Sequence, residues 1–170
     1  MLIHPPQAGE ECEASERLMP KIDIAKVKIE VFTGYPEPYR KVVAGRERKR
    51  LGNVAGLDQF GVNLTRLKPG MQSSQRHWHA AEDELVYILE GEVALCENDG
   101  ETVLKPGDAA GWKAGVANGH CLVNRTDRDA VYLEIGTRAA RDRVDYPDID
   151  LRNEKDERGV RFLHKSGEPY

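Results

Sequence analysis

The chain is poor in the features that would assign it to several functional classes. Cysteine is scarce and odd in number: Cys12, Cys96 and Cys121 show no C-x-x-C spacing. Neither a disulfide framework nor a thiolate zinc knuckle is therefore indicated, and free thiols are expected. An excess of basic charge is also absent. Lys and Arg total 25 against 29 Asp and Glu, a formal net charge of -4, so no sequence-wide attraction draws the chain to phosphate backbones and no nucleic-acid partner is expected. No apolar run approaches the roughly 20 residues of a bilayer-spanning helix. The segment MLIHPPQAGEECEASE lacks the positive flank and apolar centre of a signal peptide. No membrane partner is expected, and a cytoplasmic location is. What is present is the composition of one soluble globular domain, 39% hydrophobic and 32% charged over 170 residues, long enough to bury a core.

Along the chain, residues 1–20 are polar and closed by Pro20, and read as an N-terminal arm. Residues 21–59 form an extension. Its first part, KIDIAKVKIEVF, alternates apolar and polar residues with the period of a half-buried strand, and YPEPYRKVVAGRERKRLG then reads as loop with room for a helical turn. From residue 60 to 136 the signals are regular. FGVNLTRL, ELVYILEG, EVALCE, ETVL, GHCLVN and AVYLEIG are separated by turn sequences such as Pro69-Gly70, Asn98-Asp99-Gly100 and Pro106-Gly107-Asp108. Short strands at close, even spacing indicate an all-β sandwich or barrel rather than βαβ units. Residues 137–170 read as a charged, irregular tail, with VRFLH as one last strand, packing on the barrel or on a partner.

The stretch RHWHAAEDELVYILEG, residues 76–91, carries the chemistry. On a strand, His77 and His79 share one face and Trp78 the other. A short turn at Ala80-Ala81 lets Glu84 fold back beside them, and His120 opens a later strand and can supply a fourth group. Three imidazoles and a carboxylate suit Mn, Fe, Co, Ni, Cu or Zn and leave positions for water or substrate. A lone H-x-H is more often strand decoration than a site, so the surrounding pattern carries the weight.

That pattern resembles the cupin superfamily. Its first motif reads here as Gly70, His77, His79, Glu84 and Gly91, with one more residue in the first gap than the usual form. The match singles out Glu84, rather than Glu82 or Asp83, as the acid. Its second motif reads as Gly107, Gly115, His120 and Asn124. Lys113 stands where proline is frequent, and four residues rather than two separate Gly115 from His120, an excess that Asn118-Gly119 can absorb in a turn. YPEPYR, LGNVAGLDQFGVNL, YPDIDL and HKSGEPY extend the likeness to a group of bacterial single-domain cupins with no one assigned reaction. The resemblance implies a conical double-stranded β-helix, or jelly-roll barrel, holding one divalent transition ion (Zn, Mn, Fe or Ni) on His77, His79, Glu84 and His120.

Other residues carry weaker expectations. Gln75 shares the parity of the histidines and could meet substrate. Arg66 follows Phe60, Val62 and Leu64 in phase, which places it inward if those residues are core; there it could hold a carboxylate. Trp78 and Tyr87 are expected in an apolar layer facing away from the ligands, Trp112 in the core, Cys121 as a small core residue and Asn124 in a structural role. RERKR, residues 46–50, reads as solvated surface. Together these point to a metal-dependent enzyme acting on a small oxygen-rich or carboxylated metabolite by isomerase, lyase or dioxygenase chemistry. The alternative is a non-catalytic sugar- or acid-binding or sensing module. A homodimer is expected, because an open two-sheet barrel leaves edges and an apolar face that a second copy can cover.

Overall fold

A computed structural model describes residues 21–170; the expected arm, 1–20, lies outside the described residues. Among the described residues twelve strands follow one another: β1 Arg46–Arg50, β2 Phe60–Leu67, β3 Trp78–His79, β4 Glu84–Glu90, β5 Val93–Glu97, β6 Gly100–Leu104, β7 Ala109–Trp112, β8 Cys121–Val123, β9 Ala130–Thr137, β10 Asp142–Tyr146, β11 Leu151–Asp156 and β12 Gly159–Leu163. They form a five-stranded sheet in the order β1-β2-β9-β4-β7, a four-stranded sheet β12-β11-β10-β3 and a three-stranded sheet β6-β5-β8. Every named pairing is antiparallel. This is the all-β architecture expected from the strand spacing, in the jelly-roll form that the cupin resemblance implies. The turn sequences act as expected: Asn98-Asp99 closes the β5–β6 hairpin with Glu97 opposite Gly100. Gly91 ends β4 at φ +71, where an added Cβ would lie 2.5 Å from the Asp129 carbonyl, so only glycine fits.

The main core lies between the sheets, built from Leu67, Val86, Ile88, Val93, Leu95, Leu104, Leu122, Ala130 and Tyr132. A second cluster, Tyr35, Val43, Val144, Tyr146 and Leu151, joins the extension before the barrel to the segment after it. Cys121 packs with Ala94 and Val123 in a third, smaller cluster, facing away from the histidines as alternation requires. Asn124 is fully buried and bonds the Leu67 and Arg128 carbonyls through Nδ2, at 2.8 and 2.7 Å, a structural role.

Three expectations need correction. KIDIAKVKIEVF does not make a strand: it holds one 3-10 turn, Ile24–Lys26, and a single bridge from Glu30 to Arg48. Its alternation supplies two faces but finds no sheet to cover either, and Val31 and Phe32 remain 61% and 82% exposed. RERKR is not a solvated loop but strand β1, paired along its whole length with β2. The tail carries more regular structure than its charge pattern predicts: β10 pairs with β3 of the same chain, β11 with β10, and β12 with β11.

The phase of β2 is the reverse of the one expected. Thr65 and Leu67 are buried, whereas Phe60 is 40% exposed and Val62 and Leu64 are only partly covered. The inward face of the five-stranded sheet is thus read through rows of paired residues. Arg48, Thr65, Tyr132 and Ile88 form one row; Arg50, Asn63, Glu134, Val86 and Ala110 the next; Gly61, Gly136, Glu84 and Trp112 the third. Directly paired residues share a face, so the sheet itself places arginines, a tyrosine and two glutamates over one cavity. Among the described residues no helix is long and apolar enough to cross a membrane.

Candidate functional site

The cavity has a volume of about 490 Å³. Its floor is the histidine cluster. His77 and His120 face each other across an isolated bridge with reciprocal backbone bonds of 3.1 and 2.9 Å, so both rings project from the same side. His79 follows two residues on with the same parity, and Glu84 opens β4 opposite Gly136 and Trp112. Gly136 has no side chain to fill the space beside the Glu84 methylene, 3.8 Å from where a Cβ would stand.

The three Nε2 atoms converge on the Glu84 carboxylate, at 2.9 Å for His120, 3.6 Å for His79 and 3.8 Å for His77. The Nδ1 atoms face oxygens. His79 Nδ1 donates to Asp142 Oδ2 at 2.6 Å, His77 Nδ1 to the Gln75 carbonyl at 3.0 Å, and His120 Nδ1 faces the Asn118 carbonyl at 3.4 Å. A neutral imidazole with its proton on Nδ1 has only a lone pair on Nε2. In His77 and His79 the Nδ1 bonds leave Nε2 as such a lone pair, while His120 Nε2 hydrogen-bonds Glu84 at 2.9 Å; two lone pairs beside a carboxylate with one such bond repel unless a cation or further protons lie between them. This donor set therefore fits a bound cation, and the partners on Nδ1 are the kind that fix the tautomer of ligating histidines.

The electrostatics agree. Burial depresses the His77 pKa from 6.5 to about 4, against the opposing pull of Glu84. Burial would also lower His79, but its bond to Asp142 and the nearby Glu84 charge raise it above its usual value. Burial would raise Glu84, yet the hydrogen bond with His120 and the charges of His77 and His79 bring it down to about 2. A second grouping, His79, Glu82 and Asp142, lies on the Nδ1 side of His79. Asp142 occupies that nitrogen, and Glu82 bonds Lys155 Nζ at 2.7 Å and the Ala139 amide at 3.0 Å, so this grouping supports the first.

Two neighbours hold the rings in place. Trp112 stacks on His120 with centroids 3.7 Å apart and planes 6° from parallel, and its Nε1 donates to Glu97 at 2.9 Å. It packs against the core as expected and also walls the site. Tyr146 stacks on His77 at 5.7 Å. Trp78 faces away, with the Arg143 guanidinium 5.8 Å from its ring, and Tyr87 is on the outer face, 40% exposed.

Gln75 and Arg66 are not at the site. Gln75 Nε2 turns outward to the Tyr39 carbonyl at 3.0 Å, because the chain before β3 leaves strand geometry and its parity no longer holds. Arg66 is on the outer face of β2 in an exposed pair with Asp129 at 2.8 Å: Phe60, Val62 and Leu64, the residues that set its phase, face outward. Several site neighbours were not foreseen: Arg46, Arg48, Tyr132, Glu134 and Asp142. The arginines had one signal, their common parity in RERKR. Asp142, sixty-three residues from His79, had none.

Comparison with known proteins shows the family and the fold. The cupin domain family matches residues 63–136. A sugar phosphate isomerase of the cupin superfamily from Silicibacter pomeroyi DSS-3 is 42% identical, over 89% of this chain and 96% of its own, with a TM-score of 0.86. This chain belongs to the cupin superfamily. A candidate sugar phosphate isomerase from Acidithiobacillus ferrooxidans is 31% identical over 72% of this cupin and 80% of its own chain, with a TM-score of 0.68. The polyketide cyclase RemF from Streptomyces resistomycificus, 22% identical over 70% and 79% with a TM-score of 0.57, shares the fold. No match is found among curated proteins.

Proposed function

We propose that this cupin is a metal-dependent isomerase of a small, oxygen-rich metabolite of the sugar phosphate or sugar acid type, with His77, His79, Glu84 and His120 as its metal ligands. The observation that carries the reading is the convergence of three Nε2 atoms on one carboxylate while their Nδ1 atoms face oxygens. The name of the 42% identical relative supports the substrate class. A divalent transition ion (Zn, Mn, Fe or Ni) would supply Lewis-acid polarisation of a substrate oxygen. Asp142 holds the His79 ring in its ligating tautomer, and Trp112 and Tyr146 fix the planes of His120 and His77. The remaining cavity carboxylates, Glu82 and Glu134, are the candidates to move a proton between neighbouring carbons, a step that needs a positioned base.

The test is elemental analysis of protein purified without chelators, beside the His77→Ala/His120→Ala double variant, followed by a panel of aldose and ketose phosphates and sugar acids. Near-stoichiometric metal that disappears in the variant, with metal-dependent interconversion, is the expected result. Metal without turnover moves the protein to the non-catalytic binding class; trace metal in both proteins overturns the reading.

A homodimer belongs to the same proposal. The outer face of the five-stranded sheet carries Val62, Leu64, Leu133 and Ile135 with Leu85 and Tyr87, the last two about 40% exposed, an apolar surface that a second copy would cover. Size-exclusion chromatography with light scattering returning only monomer would sink it.

A further inference from the structure

We propose that Arg46, backed by Arg48 and the Tyr132 hydroxyl, is an oxyanion subsite in this cavity, and that the metabolite bound at the histidine cluster carries a phosphate or carboxylate seated there. The inference rests on the metal-dependent reading above and names the group its substrate must bear.

Strand alternation brings the arginines inward. Arg46 pairs with Leu67 and Arg48 with Thr65, both buried, so their side chains share the cavity face of the sheet while Glu47 and Lys49 take the other. Among the described residues, the other basic groups of the cavity are matched by oxygens. Arg48 pairs with Glu134 at 2.9 Å, Arg50 with Glu30 at 2.7 Å and Lys155 with Glu82 at 2.7 Å; Arg138 donates to the Leu57 carbonyl and Asn53 Oδ1. Arg46 has one partner, the Ser73 carbonyl, and no carboxylate within ion-pair distance among the described residues.

Its surroundings make that shortage expensive. Burial, and then the charge of Arg48, lower the Arg46 pKa, the signature of a guanidinium that has lost water without gaining an anion. Five N–H donors in a planar fork match a carboxylate or phosphate edge-on. Tyr132 adds a neutral donor: it is fully buried, its hydroxyl has no hydrogen-bond partner among the described residues, and burial followed by the Glu134 charge raises its pKa well above 10.0. It faces Thr65 in the row of Arg48. The link to the metal cluster is short, since Ser73, which Arg46 holds, precedes Ser74, whose Oγ is 3.2 Å from His77 Nδ1. An anion at Arg46 thus leaves the rest of a small molecule facing the imidazoles.

The test is calorimetric titration of the metal-loaded full chain with inorganic phosphate, glycerol 3-phosphate and glycerate, with metal content measured on the same samples. Arg46→Gln is expected to weaken the preferred anion about tenfold or more, the loss of one charge-assisted hydrogen bond, with metal content unchanged. Tyr132→Phe should weaken it severalfold, and Arg66→Gln on the outer face should leave it as in the wild type. Glycerol 3-phosphate binding tighter than glycerate names phosphate as the group, and the reverse names carboxylate. Equal affinity in wild type and Arg46→Gln, or no binding of any probe to wild type, overturns the proposal. If Arg46→Gln does not fold, Tyr132→Phe decides, and unchanged affinity there overturns it. Wild-type protein that binds anions through Arg46 yet holds no metal would instead sink the metal-dependent reading and leave the subsite standing.

Discussion

The two walls of the cavity are built by different rules. The histidine wall comes from residues 77–84 and 120, tied to each other by a bridge and one carboxylate. Its groups are neutral donors and one anion that need a cation. The arginine wall comes from β1 and β9, and its groups are cations short of anions: among the described residues Arg48 pairs with Glu134, while Arg46 has no carboxylate within ion-pair distance. One wall demands positive charge and the other negative. A cavity with both demands suits a ligand that offers oxygen to a metal at one end and a charged group to arginine at the other.

The largest effect expected from breaking this contrast is on the arginine wall. Glu134→Gln leaves the largely buried Arg48 without its paired carboxylate and removes the nearby charge that favours the Arg46 cation, and unfolding in urea should show a loss of about 3 kcal/mol. Phosphate at millimolar concentration should restore part of it if the wall accepts anions, because a ligand bound only by the folded state stabilises it; equal loss with and without phosphate counts against the contrast.

On the histidine wall the next effect is smaller. Asp142→Asn leaves one accepting oxygen where two serve the Ala81 amide and His79 Nδ1, and puts an NH2 donor in place of the other, so the His79 tautomer is no longer set by a carboxylate and metal affinity measured by competition with a chelator should fall about 10- to 100-fold. Unchanged affinity would mean that Asp142 does not orient the ring.

Acid separates the walls further. In metal-free protein, the His77 pKa is depressed from 6.5 to about 4, so the unfolded chain takes up that proton first. The stability that neutral His77 contributes is present above pH 6.5 and is lost as pH falls toward about 4. Glu84, lowered from 4.5 to about 2, contributes stability above pH 4.5 that is lost on further acidification. Melting temperatures recorded down this range should fall in both windows, and His77→Gln should flatten the upper one. The smallest effect is the control: Arg66→Gln on the outer face should change stability by less than about 0.5 kcal/mol, and a larger loss would place Arg66 in a structural role that its exposed pair with Asp129 does not suggest.

The histidine wall was legible in two ways: strand parity puts His77 and His79 on one face, and the resemblance to the cupin motifs singled out Glu84 and the later His120. The strands from FGVNLTRL to AVYLEIG were legible because alternation and turn chemistry act within a few residues. Parity alone misled where its assumption failed. FGVNLTRL has its larger apolar residues on the outer face, so Arg66 was expected inward when Asn63 and Thr65 are the residues that turn in. KIDIAKVKIEVF alternates but meets no sheet, while RERKR, read as solvated charge, is a paired strand with alternate arginines in the cavity.

The sequence by itself determined the all-β fold class, because strand alternation and turns act within short stretches of chain, and through its resemblance to the cupin motifs it named the candidate metal ligands. Only the tertiary structure decided what stands opposite those ligands. The pairing of β1 with β2 brought Arg46 and Arg48 over the site, and the pairing of β10 with β3 brought Asp142 to His79. Such contacts follow from which strand edges lie free to pair once the sheets have formed, and no local pattern in the chain encodes that choice.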